Sequence, residues 1–185
     1  MTTRREQILT SAASLFAQRG YLGVSVNDIG EACGISGPAL YKHFSGKEQL
    51  LAESLTSISE RLLREGAVRV ANAGSAAGAL ESLIDWHVSF ALSEPTLIIL
   101  QEREWANLTP DAQTAVRTLQ RAYIDLWVDS LAEVRSDWDR ATARAAAQAV
   151  FGLINSTPHS ARIDAAGMRA LLTGLAHDAL FGSTA

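Results

Sequence analysis

Between positions 25 and 44 two short helical patterns stand back to back, each opened by its own capping residue, with Gly34 between them. Ser25, followed three residues later by Asp28, has the spacing of a capping box and predicts a helix over 26–33 that buries Val26, Ile29 and Cys33. Gly34 is its stop. Ser36 then caps a second helix, in which Pro38 is tolerated because a first-turn amide has no intrahelical partner, and Leu40 and Phe44 at i,i+4 face inward. The tight glycine-containing turn between them, ACGIS, makes a helix-turn-helix: it sets the second helix across the first, where it can project into a DNA major groove.

The flanks extend the helical pattern. Ile8, Ala12, Leu15 and Phe16 recur at three- and four-residue spacing with Arg4, Arg5, Glu6 and Gln18 off the stripe, and Gly20 ends this first helix. Ser45 and Glu48 form another capping-box pattern ahead of Leu51, Leu55, Ile58 and Leu62, on a helix that links two domains. From 66 to 78 the composition turns to Ala, Gly, Asn and Ser, which predicts a frayed helix end or a loop and places a boundary there. Further helices are expected over 75–93, 95–106, 109–135, 138–156 (with Ser136 and Asp139 as a capping box) and 164–181. No useful stretch alternates with period two, so the fold class is all-α, with a helix-turn-helix domain over 1–51 and a second helical domain over 52–185.

Of the 185 residues 48% are hydrophobic and 19% charged, which supplies a sizeable core and excludes global disorder. A net charge of −4 excludes a uniformly basic nucleic-acid coat. The charge is unevenly placed, however: residues 1–51 hold five Lys or Arg against four Asp or Glu, a formal +1, and 52–185 hold eleven against sixteen, a formal −5. The only two lysines, Lys42 and Lys47, lie within six residues at the end of the second short helix. The lone Cys33 can form no intramolecular disulfide and no multi-cysteine zinc site, which fits a reducing compartment, with cytoplasm as the default. It reads as a small buried hydrophobe, the alternative being a redox sensor. The N-terminus lacks a secretory signal, and no apolar run approaches the ~18 residues that span a bilayer, so no membrane partner is expected.

The stretch RREQILTSAASLFAQRGYLGVSVNDIGEACGISGPALYKHFSGKEQLL, residues 4–51, resembles the DNA-binding domain of the TetR family of transcriptional regulators. It carries the family's first-helix pattern, its V-x-D-I-x-x-x-x-G-I-S second helix and turn, and its LYxHFxxKExLL ending, without a gap. The resemblance implies an all-helical homodimer that binds palindromic double-stranded operator DNA, generally as a repressor. It further implies release when a small-molecule effector occupies the C-terminal ligand-binding and dimerisation domain. No cofactor and no metal are expected.

The residue types fit those roles. Ser36, Gly37, Pro38 and Ala39 open the recognition helix, where small side chains allow close approach to bases and phosphates and an Ala methyl can meet a thymine methyl. Tyr41, Lys42, His43 and Lys47 suit phosphate contacts that fix register, Lys47 sitting at a helix start as the family's phosphate contact does. Ser25 and Asn27 can add phosphate contacts, and Arg4 or Arg5 can reach an adjacent backbone or minor groove. Phe44 reads as core; Tyr41 reads as a DNA contact with a core aromatic as the alternative, and His43 as either a DNA contact or a capping or core histidine. With no Arg, Asn or Gln between 36 and 41, specificity is expected to rest on shape and a few apolar contacts.

In the C-terminal part Val150, Phe151, Ile154, Leu171, Leu172, Leu175 and Leu180, with many Ala and Gly, lie on the helices 138–156 and 164–181. These two are expected to form a two-fold four-helix bundle between copies, the alternative being an ordinary internal core. Trp86, His87, Phe90, Arg103, Trp105, Tyr123, Trp127 and Asn155 are the candidate effector-binding residues: aromatic walls with a few polar groups, which also describes a plain core. Arg103 can anchor a carboxylate or phosphate, which suggests an acyl-type ligand such as a coenzyme A thioester. No ligand spacing for a metal appears near His87. An enzyme is the rival class, but no nucleophile elbow, P-loop, dinucleotide fingerprint or zinc-protease motif is present. A helical small-molecule-binding dimer with a merely structural helix-turn-helix is the other alternative, against which Tyr41, Lys42, His43 and Lys47 stand together.

Overall fold

The computed structural model describes residues 3–182, and all regular structure among them is helical. The chain forms two compact units, Met1–Ser59 with Thr96–Arg117, and Glu60–Pro95 with Thr118–Ala185.

In the first unit α1 (Arg4–Arg19) is opened by a capping box between Thr3 and Glu6 and closed at Gly20, whose φ of 76° lies in the region glycine favours. Helix α2 (Val26–Ala32) starts at the expected Ser25–Asp28 box, and α3 (Gly37–Leu40) at Ser36, whose Oγ accepts from the Ala39 amide at 3.4 Å. Of the residues expected under α2, Ile29 is buried whereas Val26 and Cys33 are half-buried; Val24 in the preceding turn takes up the core position instead. Gly30 is where α3 approaches: a Cβ there would stand 2.9 Å from the Ile35 carbonyl and 3.3 Å from the Gly37 nitrogen. Phe16, Ile29, Leu40, Phe44, Leu50, Leu51 and Leu55 are fully or nearly fully buried.

Helix α4 (Lys47–Asn72) differs from expectation at both ends. The Ser45 amide donates to Gln49 Oε1 at 2.6 Å, one residue beyond the Glu48 that the capping-box spacing suggests. At the other end the helix runs straight through Gly66, and the break is confined to 73–75. The glycine serves packing within the helix: a Cβ there would meet Tyr123 Cε2 at 2.7 Å and Leu126 Cδ1 at 3.2 Å.

The second unit is built on α5 (Ala76–Ser93), which packs against α8 (Arg140–Asn155) and α10 (Ala165–Phe181). Helix α6 (Pro95–Glu104) ends earlier than the 106 expected and tightens into a 3₁₀ turn over Trp105–Asn107; α7 (Pro110–Val134) follows. Asp139 alone caps α8, accepting from the Thr142 amide at 2.7 Å, so the Ser136–Asp139 box does not form. A short α9 (Thr157–Ser160), not expected from the sequence, begins with Pro158 in its first turn, where proline's missing N–H costs nothing. Arg135 ties the end of α10 to the turn after α7: its guanidinium donates to the Gly182 carbonyl at 2.9 Å, pairs with Asp137 at 2.8 Å and lies over the Trp138 ring.

Candidate functional site

In the first unit, burial of Leu40 and Phe44 turns the rest of the α3 segment outward. Ser36, Pro38, Tyr41, Lys42 and His43 are exposed, Tyr41 at 57%, with Gly37 and Ala39 half-buried. Asn27 stands beside this surface, and its Oδ1 lies so near Gly37 that a methyl there would collide with it. Ser25 is engaged in its cap: its Oγ accepts from the Asp28 amide at 3.1 Å and donates to the Asp28 carboxylate. That hydroxyl bond, with Arg19 adding a smaller attraction, holds the Asp28 carboxyl below its ordinary range. Lys47 is anchored within the unit, its ammonium donating to the Tyr21 carbonyl at 2.8 Å and lying 4.2 Å above the Tyr21 ring. Arg4 donates to the Cys33 carbonyl at 2.6 Å, and Arg5 pairs with Glu53 over the Phe44 ring, so both brace the helices.

Six of the eight candidate effector residues fall in the second unit, and five of them meet there around an imidazole. His87 Nε2 lies 3.1 Å from Asn155 Oδ1, its Nδ1 lies 3.4 Å from the Tyr123 hydroxyl, and Phe90 and Trp127 stand within 6.1 Å of its ring. Burial pushes the His87 pKa down to about 4, against which the Asn155 bond is a lesser, opposing influence. Burial likewise raises that of Tyr123. Trp86 lies at the edge, 6.4 Å from Phe90, with the Arg69 guanidinium 4.4 Å above its ring. Phe151 is the member the sequence reading assigned elsewhere: its ring is 4.7 Å from His87, 4.8 Å from Trp127, and stacked on Tyr123 at 5.7 Å. Its i,i+4 relation to Asn155 was the available signal.

Arg103 and Trp105 belong to the other unit. Arg103 donates to the Ala17 carbonyl in the last turn of α1 at 3.0 Å, which is favourable because a helix C-terminus presents unpaired carbonyls. The neighbouring Glu104 is buried and accepts from Asn107 at 2.7 Å. Trp105 lies beneath the Arg117 guanidinium at 4.9 Å.

The apolar residues of α8 and α10 divide cleanly. Val150, Ile154, Leu172 and Leu180 are buried inside the unit, Phe151 joins the ring cluster, and only Leu171 and Leu175 point outward, 48% and 44% exposed, beside exposed Ala170 and Gly174. An open groove of about 590 Å³ runs along this side between Asp85, Arg169, Thr173 and His177. Among the described residues no group of three or more His, Cys, Asp or Glu could hold a metal, and no single helix is long and apolar enough to cross a membrane.

Two family models match the chain: bacterial regulatory proteins of the tetR family over residues 8–54, and the tetracyclin repressor-like C-terminal domain over 73–159. The transcriptional repressor KstR2 of Rhodococcus jostii (strain RHA1) is 29% identical over 129 residues, which span 69% of this chain and 63% of that relative. Among solved structures, a TetR-family transcriptional regulator from Bordetella parapertussis 12822 is 26% identical with a TM-score of 0.84, covering 96% of this chain and 94% of that one. AibR in complex with isovaleryl coenzyme A and operator DNA shares the fold at a TM-score of 0.79 and 20% identity, over 94% of this chain and 97% of its own.

Proposed function

Because the chain belongs to the TetR family of transcriptional regulators, we propose that it is a ligand-responsive repressor that binds palindromic operator DNA as a homodimer. The observation that carries this reading is the outward display of Ser36, Pro38, Tyr41, Lys42 and His43 on a segment that Leu40 and Phe44 fix to the core. A helix-turn-helix kept only for structure has no need of a lysine, an imidazole and a phenol together on its open side. In the proposed complex Gly37 and Ala39 admit the base edges, and Tyr41, Lys42, His43 and Lys47 hold phosphates, with Ser25 and Asn27 at the margin. The exposed Leu171 and Leu175, flanked by small residues, supply the seam for a second copy. One dimer then offers two recognition helices to successive major-groove faces about 34–36 Å apart.

KstR2 supports the repressor reading, and AibR, whose structure holds isovaleryl coenzyme A and operator DNA, supports a small-molecule input. The enclosed cluster around His87 is the proposed effector-binding centre in this chain. Helix α4 contributes residues to both units and is the proposed lever. A ligand that favours one conformer by about 1–3 kcal/mol lowers operator affinity roughly 5- to 150-fold, and one with equal affinity for both does nothing.

Selection from randomised duplex DNA tests the reading, followed by titration of the enriched sequence at several salt concentrations with the wild type and Tyr41→Ala. A palindromic consensus that the variant no longer binds is the expected result. No enrichment, with only weak and steeply salt-dependent binding, refutes it and favours a small-molecule-binding dimer with a structural helix-turn-helix.

A further inference from the structure

The aromatic core of the second unit encloses a polar chain that carries no charge. With the Asn155 oxygen facing it at 3.1 Å, His87 Nε2 must hold the proton, because an amide oxygen only accepts. Nδ1 is then the acceptor, and the Tyr123 hydroxyl, 3.4 Å away, donates to it. The rings of Phe90, Trp127 and Phe151 surround the imidazole. Two buried indole donors are left over here, Trp86 Nε1 at the edge of the cluster and Trp127 Nε1 inside it. Trp127 is 0% exposed, and its Nε1–H completes no hydrogen bond, although it lies near enough to the Tyr123 oxygen to ease that group's ionisation. Folded proteins leave few buried donors unpaired, and those that remain call for an explanation. Two cations border the cluster, and both are engaged: Arg61 lies over Phe90 and is paired with Glu94 at 2.5 Å, and Arg69 lies over Trp86 and is paired with Glu65 at 3.1 Å.

We propose that this cluster recognises an apolar molecule bearing an uncharged hydrogen-bond acceptor, such as a ketone or ester carbonyl, and discriminates against carboxylates. The inference rests on the effector-binding reading and specifies its chemistry. Trp127 Nε1–H is the donor that such a carbonyl satisfies, the Tyr123–His87–Asn155 chain fixes the wall behind it, and the aromatic rings take the apolar body. A carboxylate brought to the same place loses its hydration among neutral groups, and the two arginines at the border are each already paired with a glutamate. The anionic anchor that the sequence suggests, Arg103, is occupied by the Ala17 carbonyl in the other unit.

The test uses the full chain with ¹⁵N-labelled indoles, the four Trp N–H signals being assigned by single Trp→Phe variants. The probes are 2-octanone, octanoate and n-octane at pH 7.5. 2-Octanone is expected to shift the Trp127 signal saturably while Trp105 stays in place, octanoate to bind at least about tenfold more weakly, and n-octane to leave the Trp127 signal unmoved. Tyr123→Phe, which keeps the ring and removes the hydroxyl, should weaken 2-octanone about fivefold or more, and Asn155→Leu replaces it if that variant does not fold. Octanoate binding as tightly as 2-octanone, n-octane producing the same shift, an unmoved Trp127 signal, or unaltered affinity in the folded variant each overturns the proposal. The same probes are added to the operator complex: selective binding with unchanged operator affinity refutes the effector reading alone, and operator release by octanoate without 2-octanone refutes the neutral-acceptor proposal alone.

Discussion

His87 Nε2 meets Asn155 Oδ1 at 3.1 Å across 68 residues of sequence, which joins α5 to the last turn of α8 through a neutral imidazole. Burial lowers the His87 pKa from 6.5 to about 4, so over that interval the unfolded chain binds a proton that the native chain does not. Stability is therefore full above pH 6.5 and falls as the pH drops toward 4, by up to roughly 3 kcal/mol. Urea denaturation at steps between pH 7.5 and 4.5 should show this decline in the wild type and a flatter profile in His87→Phe. A wild-type midpoint that holds constant across the window contradicts it.

The cap of α2 gives a second acid-sensitive contact, at the start of the helix-turn-helix. Ser25→Ala removes the acceptor for the Asp28 amide and the hydroxyl that binds the Asp28 carboxylate, and should cost about 0.5–2 kcal/mol at neutral pH. Because the Asp28 pKa is depressed from 3.8, its share of that stability is present above 3.8 and lost as the pH falls through the lower native value. The gap between the thermal midpoints of wild type and Ser25→Ala should thus narrow as the pH is taken below 4, leaving the share that the amide bond contributes.

Lys47 and Gly37 should separate affinity from sequence preference. Lys47→Ala is expected to weaken binding to every duplex and to reduce the slope of log affinity against log salt by about one phosphate's contribution. Gly37→Ala pushes against Asn27 Oδ1 and should change the selected sequence instead. Equal loss of sequence preference from both variants removes the distinction between positioning and reading.

Gly66→Ala should destabilise even though alanine is the better helix former. The gain in helix propensity is about 1 kcal/mol, whereas a Cβ 2.7 Å from Tyr123 Cε2 requires repacking that costs about 1–3 kcal/mol. A stabilised Gly66→Ala in urea denaturation means that Tyr123 moves aside freely.

The outward leucines of α10 should decide the oligomeric state. Leu175→Asp is expected to shift sedimentation toward the monomer while leaving the thermal transition of the helical core in place, since Leu175 is 44% exposed and Leu172, three residues earlier, is buried. A dimer that survives both Leu171→Asp and Leu175→Asp uses another face.

The α2–α3 pair was legible in the sequence because its determinants are local: Ser25, Asp28, Ser36 and Pro38 act on amides within three residues, and Leu40 and Phe44 share a face by helical spacing alone. The same locality explains the family resemblance over residues 4–51. It also explains where the pattern misled: Gly66 and its small neighbours have loop composition, yet α4 runs on through them, and the glycine answers to packing because Tyr123, 57 residues away, fills the space a side chain would take. The eight candidate effector residues look alike on paper. Tertiary structure alone assigned Arg103 and Trp105 to the unit that holds α1 and gathered His87, Phe90, Tyr123, Trp127 and Asn155 with Phe151 in the other. By itself, then, the sequence determined the all-helical class, the α2–α3 pair with its Ser25 and Ser36 caps and the outward face of the recognition segment, since those follow from interactions over a few residues. Which side chains share a core, which carbonyl an arginine finds and which leucines are left outside depend on contacts between distant segments, and only the packed chain decides them.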